Sequence, residues 1–188
     1  MGVASAKGRS FLGSIRLPLS GFHRERVRLI DDFDYTKVAE KTRKELHERG
    51  IEVDREYLHG GIHALKQYCA VALLDPLNMH AVSERVDPFW HSHIIFTRDY
   101  AAFCERIYGQ YIHHQPLDES NDEEVRKLRV LYRYTHGIYR QMFSHVDEFW
   151  WPQPEIARMI CYHYKVTDLE VVKEALFPID PGAERCAA

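Results

Sequence analysis

The chain has 188 residues, of which 45% are hydrophobic and 28% are charged, and its formal net charge is −3. This length and composition predict one globular domain with a core of its own. The small negative charge argues against nucleic acid or an anionic membrane as a partner, and no apolar run approaches the roughly 20 residues that span a bilayer. The N-terminal residues contain no apolar segment typical of a secretory signal, so we expect a cytoplasmic protein.

The four cysteines are scattered along the chain. They are Cys69, Cys104, Cys161 and Cys186, and no Cys-x-x-Cys pair occurs among them. This spacing argues against a structural zinc ribbon and against a disulfide framework, so reduced thiols are expected.

Residues 1–30 show little periodicity and are interrupted by Gly, Ser and Pro, so we expect a flexible or extended N-terminal arm. A helical pattern begins after it and continues over residues 31–180, and a disordered tail is expected over 181–188. In the first helix apolar or small residues recur every four positions up to Gly50, a typical C-terminal glycine. Asp54 can cap a second helix, which ends before Asp75.

A third helix is predicted from Asp87-Pro88 to Gly109, since Asp is a good N-cap and Pro suits the first helical position. A capping box at 120–123 announces a fourth. After the aromatic break at 150–154, two shorter helices are predicted over 155–164 and from 167 to about 178. No strand pattern appears. The sequence therefore predicts an all-α, single-domain bundle of five or six helices.

Histidines cluster around the third helix, at His91, His93, His113 and His114. On a regular helix His93 lies in the apolar stripe, and His91 lies about 160° around the axis, so these two cannot bind one ion there. Asp87 precedes His91 by four residues and shares its side of the helix. The pair is interpreted either as two metal ligands or as an N-cap beside an exposed histidine.

A distance argument limits what His114 can reach. A straight third helix is roughly 28 Å long, and from Gly109 the chain can return at most about 17 Å by His114. We therefore expect His93 to be barely within reach and His91 to be hard to reach. A site that joins His114 to Tyr100 or Cys104 is easier to build.

Two interpretations of the histidines remain open. They are ligands of a transition metal, with iron or copper favoured and zinc as an alternative, or they are neutral core residues with hydrogen-bond partners in the protein. In the first interpretation His93, His113 and His114 are the preferred ligands, followed by Asp87 and His91. Tyr100 and Cys104 are then the candidate catalytic residues that shape the pocket. The remaining histidines expected to face solvent are His23, His47, His80 and His145.

The same stretch resembles bacterial proteins of the glycine-rich-domain-containing-protein-like family, which share this segment with the N-terminal region of plant glycine-rich domain proteins. The resemblance covers roughly residues 55–152, with a second match in the fourth helix. The positions that carry the main motif are Val86, Asp87, Trp90, His91, His93, Ile94, Thr97, Tyr100, Phe103, Cys104, Gly109, Ile112, His113, His114 and Pro116. The resemblance implies a helical domain and no defined activity.

On function, we expect a small metal-dependent enzyme that acts on a small molecule or peptide, with an oxidoreductase favoured over a hydrolase. Tyrosine and thiol groups on one face favour a redox metal, and no glutamate is placed as an obvious general base. The alternative is a metal-free protein-interaction module in which the histidines are structural. Nucleotide-binding glycine motifs and a nucleophile elbow are absent from the sequence.

Overall fold

The computed structural model describes residues 14–114 and 120–154, and within these residues the regular secondary structure consists of α-helices. The helices are α1 (Gly21–Asp32), α2 (Thr36–Glu48), α3 (Arg55–Leu74), α4 (Asp87–Ile95), α5 (Thr97–Tyr108) and α6 (Asp122–Met142). They pack around one core, which confirms the predicted all-α bundle. None of these helices combines the length and apolar character needed to cross a membrane. The helices predicted over 155–164 and 167–178, and the tail, lie outside the described residues.

The end of α2 and both ends of α3 lie where the sequence predicts. The side chain of Asp54 accepts a hydrogen bond from the backbone N–H of Tyr57 and caps α3. Gly50, with φ of 77°, follows α2 in the left-handed conformation that a glycine adopts without strain. The helix α3 lies at the centre of the bundle and contacts α1, α2, α4 and α6.

The predicted arm over 1–30 is wrong for residues 21–30, because these form most of α1. Ser20 caps this helix, and Val27 and Ile30 are fully buried against the core. The helix packs against α3 and α5, and Lys66 of α3 donates hydrogen bonds to both the carbonyl and the carboxylate of Asp31. Basic residues between the apolar positions hide this short amphipathic pattern in the sequence.

Backbone hydrogen bonds also hold residues 14–16 against the bundle. Residue Ile15 forms an isolated antiparallel bridge with Phe143, at the end of α6. The backbone N–H of Arg16 donates to Met142, and that of Ser144 donates to Ser14, both at 2.7 Å. These residues therefore lie against the bundle.

The predicted third helix is two helices. It breaks at Phe96, whose backbone angles (φ −80°, ψ 63°) are not helical, so that α4 ends at Ile95 and α5 begins at Thr97. Each half buries its own set of side chains, Phe89, Trp90 and His93 from α4 and Tyr100, Phe103, Cys104 and Ile107 from α5. The distances and side-chain directions that were predicted for one straight helix therefore do not apply to this segment.

Two glycines allow close packing against α3. A Cβ atom at Gly61 would overlap the ring of Phe89, and one at Gly60 would overlap the indole of Trp150. The pair lies inside an unbroken helix, so its main effect is to let two aromatic rings approach the backbone.

Candidate metal centre

Three side chains converge beside the start of α4: Asp87, His91 and His114. The Nε2 atoms of the two histidines are 2.9 Å apart, and the Oδ1 atom of Asp87 lies 3.7 Å from His91 Nε2 and 3.9 Å from His114 Nε2. All three ligand atoms lie within 4.8 Å of one another. The structure thus brings together three of the five predicted metal ligands.

Asp87 and His91 meet because of local helix geometry. They are four residues apart in α4, so their side chains lie on the same face of its first turns. Pro88 lies in the first turn of the helix. Proline has no backbone N–H, but an N–H at this position would have no partner within the helix, so no hydrogen bond is lost.

His114 comes from the segment that follows α5, and hydrogen bonds hold that segment in place. Gly109, with φ of 72°, ends α5 and turns the chain back. The hydroxyl of Tyr100 donates to the carbonyl of Ile112 at 2.8 Å, and the indole N–H of Trp90 lies 3.3 Å from that hydroxyl. The rings of Trp90 and His114 are in edge contact, with centroids 4.8 Å apart.

The expectation that His114 could scarcely reach His91 is wrong. It assumed a straight helix from residue 88 to residue 107, whereas the chain changes direction at Phe96. Because α4 and α5 have separate axes, the return from Gly109 need not run the full length of one helix.

The three side chains differ in exposure, which sets their electrostatics. The exposed fraction of the side chain is 17% for His114, 37% for Asp87 and 44% for His91. Burial lowers the pKa of His114, and repulsion from His91 lowers it further, while the carboxylate of Asp87 acts in the opposite direction. His114 therefore favours its neutral form, in which the free lone pair of one ring nitrogen can bind a metal or accept a hydrogen bond.

His93 is not part of this cluster. Its side chain is 1% exposed and packs among aromatic rings, including Phe33, Tyr100 and Phe103 at centroid distances of 4.9–5.3 Å. Burial lowers the pKa of His93 to about 4. Neither ring nitrogen has a hydrogen-bond partner among the described residues, so His93 is a neutral core residue.

His113 also lies apart from the cluster. It is exposed, and its ring packs on Tyr111 at 4.8 Å. Adjacent residues of an extended segment point to opposite sides, so only one of His113 and His114 can face α4.

The candidate catalytic residues Tyr100 and Cys104 are both buried and are not brought into the cluster. Burial raises the pKa of the Cys104 thiol, which disfavours the nucleophilic thiolate. The Tyr100 hydroxyl is engaged with Ile112 and Trp90. Through this hydrogen bond Tyr100 holds the segment that carries His114.

The spacing of the cluster fits one metal ion. Two imidazole nitrogens bound at roughly 2.1 Å and lying 2.9 Å apart subtend about 90° at the ion. The two longer distances to Asp87 correspond to wider angles of about 120–140° at the same bond length. Three protein ligands leave further coordination positions for water or a substrate.

One buried histidine, His80, was not predicted from the sequence. His80 was expected to face solvent, but its side chain is only 3% exposed and lies against Asp75 and Tyr134. It belongs to the loop between α3 and α4, which has no periodic pattern from which burial could be inferred. Of the other three, His47 and His145 are exposed and His23 is partly buried.

Comparison with known proteins matches the chain to a family model. No curated protein and no solved structure matches the chain. The model of the UCP032817-like family matches residues 25–140, which is more than half of the chain and includes α2 to α5 and all three residues of the cluster. The chain therefore belongs to the UCP032817-like family.

Proposed function

We propose that this protein is a metal-dependent enzyme in which Asp87, His91 and His114 hold one divalent transition-metal ion. The observation that carries the proposal is the convergence of these three side chains from α4 and from a segment 23 residues further along the chain. Metal ligands are expected to face one point. His93 is buried among aromatic rings and His113 is exposed and packs on Tyr111, so neither faces the cluster and both are left out of the site.

The donor set suits iron(II) best. Two imidazoles and one carboxylate with open positions are typical of non-haem iron(II) oxygenases, and the same donors also bind zinc and copper. The cluster contains no additional carboxylate, histidine or thiol among the described residues. No further carboxylate among the described residues of the cluster is placed as a general base for hydrolysis, so an oxidoreductase acting on a small molecule or peptide is the preferred activity.

A second candidate function has its own support. The 2.9 Å contact between His91 and His114 is also good geometry for an N–H···N hydrogen bond, which needs no metal. In addition, Leu77 is 95% exposed and Met79 is 69% exposed. Exposed apolar side chains of this kind suit a metal-free protein-interaction module.

The first experiment measures metal content and affinity in untagged protein. Wild-type protein and the variants Asp87→Ala, His91→Ala and His114→Ala are analysed as purified and after anaerobic titration with Fe(II) and Zn(II). His113→Ala is the matched control, since it removes a neighbouring exposed histidine. We expect about one equivalent of metal in the wild type and control, and at least a tenfold loss of affinity in each cluster variant.

A spectroscopic measurement tests the open positions. Nitric oxide added to the Fe(II)-loaded protein is expected to give the electron paramagnetic resonance signal of a high-spin ferrous nitrosyl adduct, which requires a free coordination position. Preferential zinc binding without this signal would contradict the oxidoreductase and favour hydrolysis. If neither metal bound, the proposal of a metal-dependent enzyme would be overturned, and the metal-free protein-interaction module would remain as the candidate function.

A further inference from the structure

A cavity of about 380 Å³ opens between α1, α3, the end of α5 and the loop around residues 76–80. Its volume falls within the range of roughly 300–1,000 Å³ that is usual for small-molecule sites. Asp87, His91 and His114 do not line it, so the cavity is separate from the candidate metal centre. Its size suits a small molecule better than a folded protein partner.

Exposed apolar side chains lie at the edge of this cavity. Phe22, Met79 and Tyr111 are all exposed, and all three belong to its wall. Large apolar side chains in contact with water are stabilised when a ligand covers them. Their position at one cavity therefore indicates an occupant that buries apolar surface.

The inner wall of the cavity is aromatic and has no acidic or strongly basic residue. Tyr68 and Trp90 are buried in it with ring centroids 5.0 Å apart, and Tyr108 lies beside them. Among the residues that the structure describes, no Asp, Glu, Lys or Arg lines it. A charged ligand would lose hydration there without gaining such a partner, whereas a flat uncharged ring can pack on the aromatic wall.

The wall of the cavity is connected directly to His114. Ile112 and His113 line the cavity and immediately precede His114 in the chain. Trp90 also lines it, and its ring is in edge contact with that of His114 at 4.8 Å. An occupant that packs on these side chains would restrict the movement of the segment that carries His114.

We propose that the cavity is an effector site for a small uncharged aromatic molecule, whose binding orders residues 110–114 and holds His114 in place. A ligand that needs the ordered segment then binds more tightly, because the entropic cost of ordering has already been met. The effector therefore raises the affinity for the metal, and the metal raises the affinity for the effector by the same factor. This consequence rests on the proposed function, whereas the site and the ordering of the segment do not.

The first measurement uses chelator-treated, full-length protein and two probes, indole and choline. Calorimetry gives the stoichiometry and dissociation constant of each. We expect indole to bind with a stoichiometry of about one and choline not to bind. Choline represents the cationic ligands that aromatic walls also accept. Absence of indole binding, or binding of choline in its place, would overturn the proposal.

Two pairs of variants test whether the probe lies in this cavity. Met79→Ala removes an exposed lining side chain, and its control is Leu77→Ala, an exposed residue of the same loop that does not line the cavity. Ala72→Phe fills the cavity from α3, and its control is Ala102→Phe at an exposed position of α5. We expect Met79→Ala to weaken indole binding about fivefold and Ala72→Phe to abolish it.

Both control variants should bind indole like the wild type, and thermal unfolding verifies that all four variants are folded. Met79 is exposed, so its truncation should leave the fold intact even if Ala72→Phe does not fold. Equal affinities for indole in Met79→Ala and Leu77→Ala would overturn the assignment of the probe to this cavity.

Amide hydrogen exchange in the metal-free protein tests the ordering of the segment. Indole should slow exchange in residues 110–114 by about threefold and leave α6 unchanged, since no residue of α6 lines the cavity. Zinc titration should then show about fivefold tighter binding with saturating indole, and no such change in Ala72→Phe. Slower exchange without any zinc binding would support the effector site and contradict the proposed metal centre. Unchanged exchange with indole bound, or equal zinc affinity with and without indole, would overturn the effector role.

Discussion

The Nε2 atoms of His91 and His114 lie 2.9 Å apart, although the two residues are separated by 23 positions and belong to different segments. The contact joins the first turns of α4 to the segment after α5, and Asp87 completes the cluster. The contact depends on the break between α4 and α5 at Phe96 and on the turn at Gly109. Changes that move the second segment should therefore alter metal binding without touching a ligand.

Tyr100→Phe is the most direct change of this kind. It removes the hydroxyl that donates to the carbonyl of Ile112 at 2.8 Å, two residues before His114. We expect metal affinity to fall by about tenfold, as is usual when a group that orients a ligand is lost. Titration with Zn(II) or Fe(II) measures the effect.

The matched control for Tyr100→Phe is Tyr132→Phe. Tyr132 also donates through its hydroxyl to a backbone carbonyl, that of Pro152, at 2.7 Å. It lies in α6, away from the cluster, so its loss should leave metal affinity unchanged. Equal losses in the two variants would show a general loss of stability and contradict the positioning role of Tyr100.

The buried imidazole of His93 should make the stability of the metal-free protein depend on pH. Burial lowers the pKa of His93 to about 4, while its value in the unfolded chain is about 6.5. Between these values the unfolded state binds the proton more readily. Above pH ~6.5 His93 is neutral in both states and does not lower the free energy of unfolding. As the pH falls towards 4, the free energy of unfolding decreases by about 3 kcal/mol in total because the unfolded chain binds the proton.

His93→Leu tests this pH dependence, because leucine has a similar size and no titrating group. Urea unfolding of wild type and variant is compared at pH 7, 6, 5 and 4 in the presence of a chelator. We expect the free energy of unfolding of the wild type to fall more steeply with decreasing pH. Parallel curves for the two proteins would mean that His93 remains uncharged in both states or has a partner for its proton.

Gly61→Ala should destabilise the protein. Alanine usually stabilises a helix interior relative to glycine by about 0.5–1 kcal/mol, but here the new Cβ would overlap the buried ring of Phe89. We expect a net loss of about 1–3 kcal/mol in the free energy of unfolding.

Gly21→Ala is the control for the glycine variant. No atom lies within 4 Å of a Cβ built at Gly21, at the start of α1. Its effect should stay within about 0.5 kcal/mol. A stabilising Gly61→Ala would mean that α3 and α4 are farther apart than the structure shows.

Ile30→Ala tests whether α1 belongs to the folded domain. Ile30 is fully buried, so its truncation should cost about 2–5 kcal/mol in the free energy of unfolding. Arg28→Ala, at an exposed position of the same helix, should have little effect. If chemical denaturation gives the same midpoint for both variants, α1 does not contribute to the core.

Local features of this fold could be predicted from the sequence, because they depend on neighbouring residues. Asp54 and Gly50 mark a helix start and a helix end through backbone hydrogen bonding and a positive φ. The start of α6 was also predicted, although its cap is Asn121 and lies one residue after Ser120, the cap of the predicted box. The side-by-side placement of Asp87 and His91 follows in the same way from a spacing of four residues.

Contacts between distant segments were decided only by the tertiary structure. The amphipathic pattern of α1 is short and interrupted by basic residues, so its burial follows from its packing on α3 and α5. His80 is buried by a loop conformation that has no sequence period. The choice of His114 over His93 and His113 depends on the break at Phe96, where one residue leaves the helical conformation. Sequence periodicity fixes which face of a helix is apolar, but the direction of the chain after a break depends on what the two halves pack against.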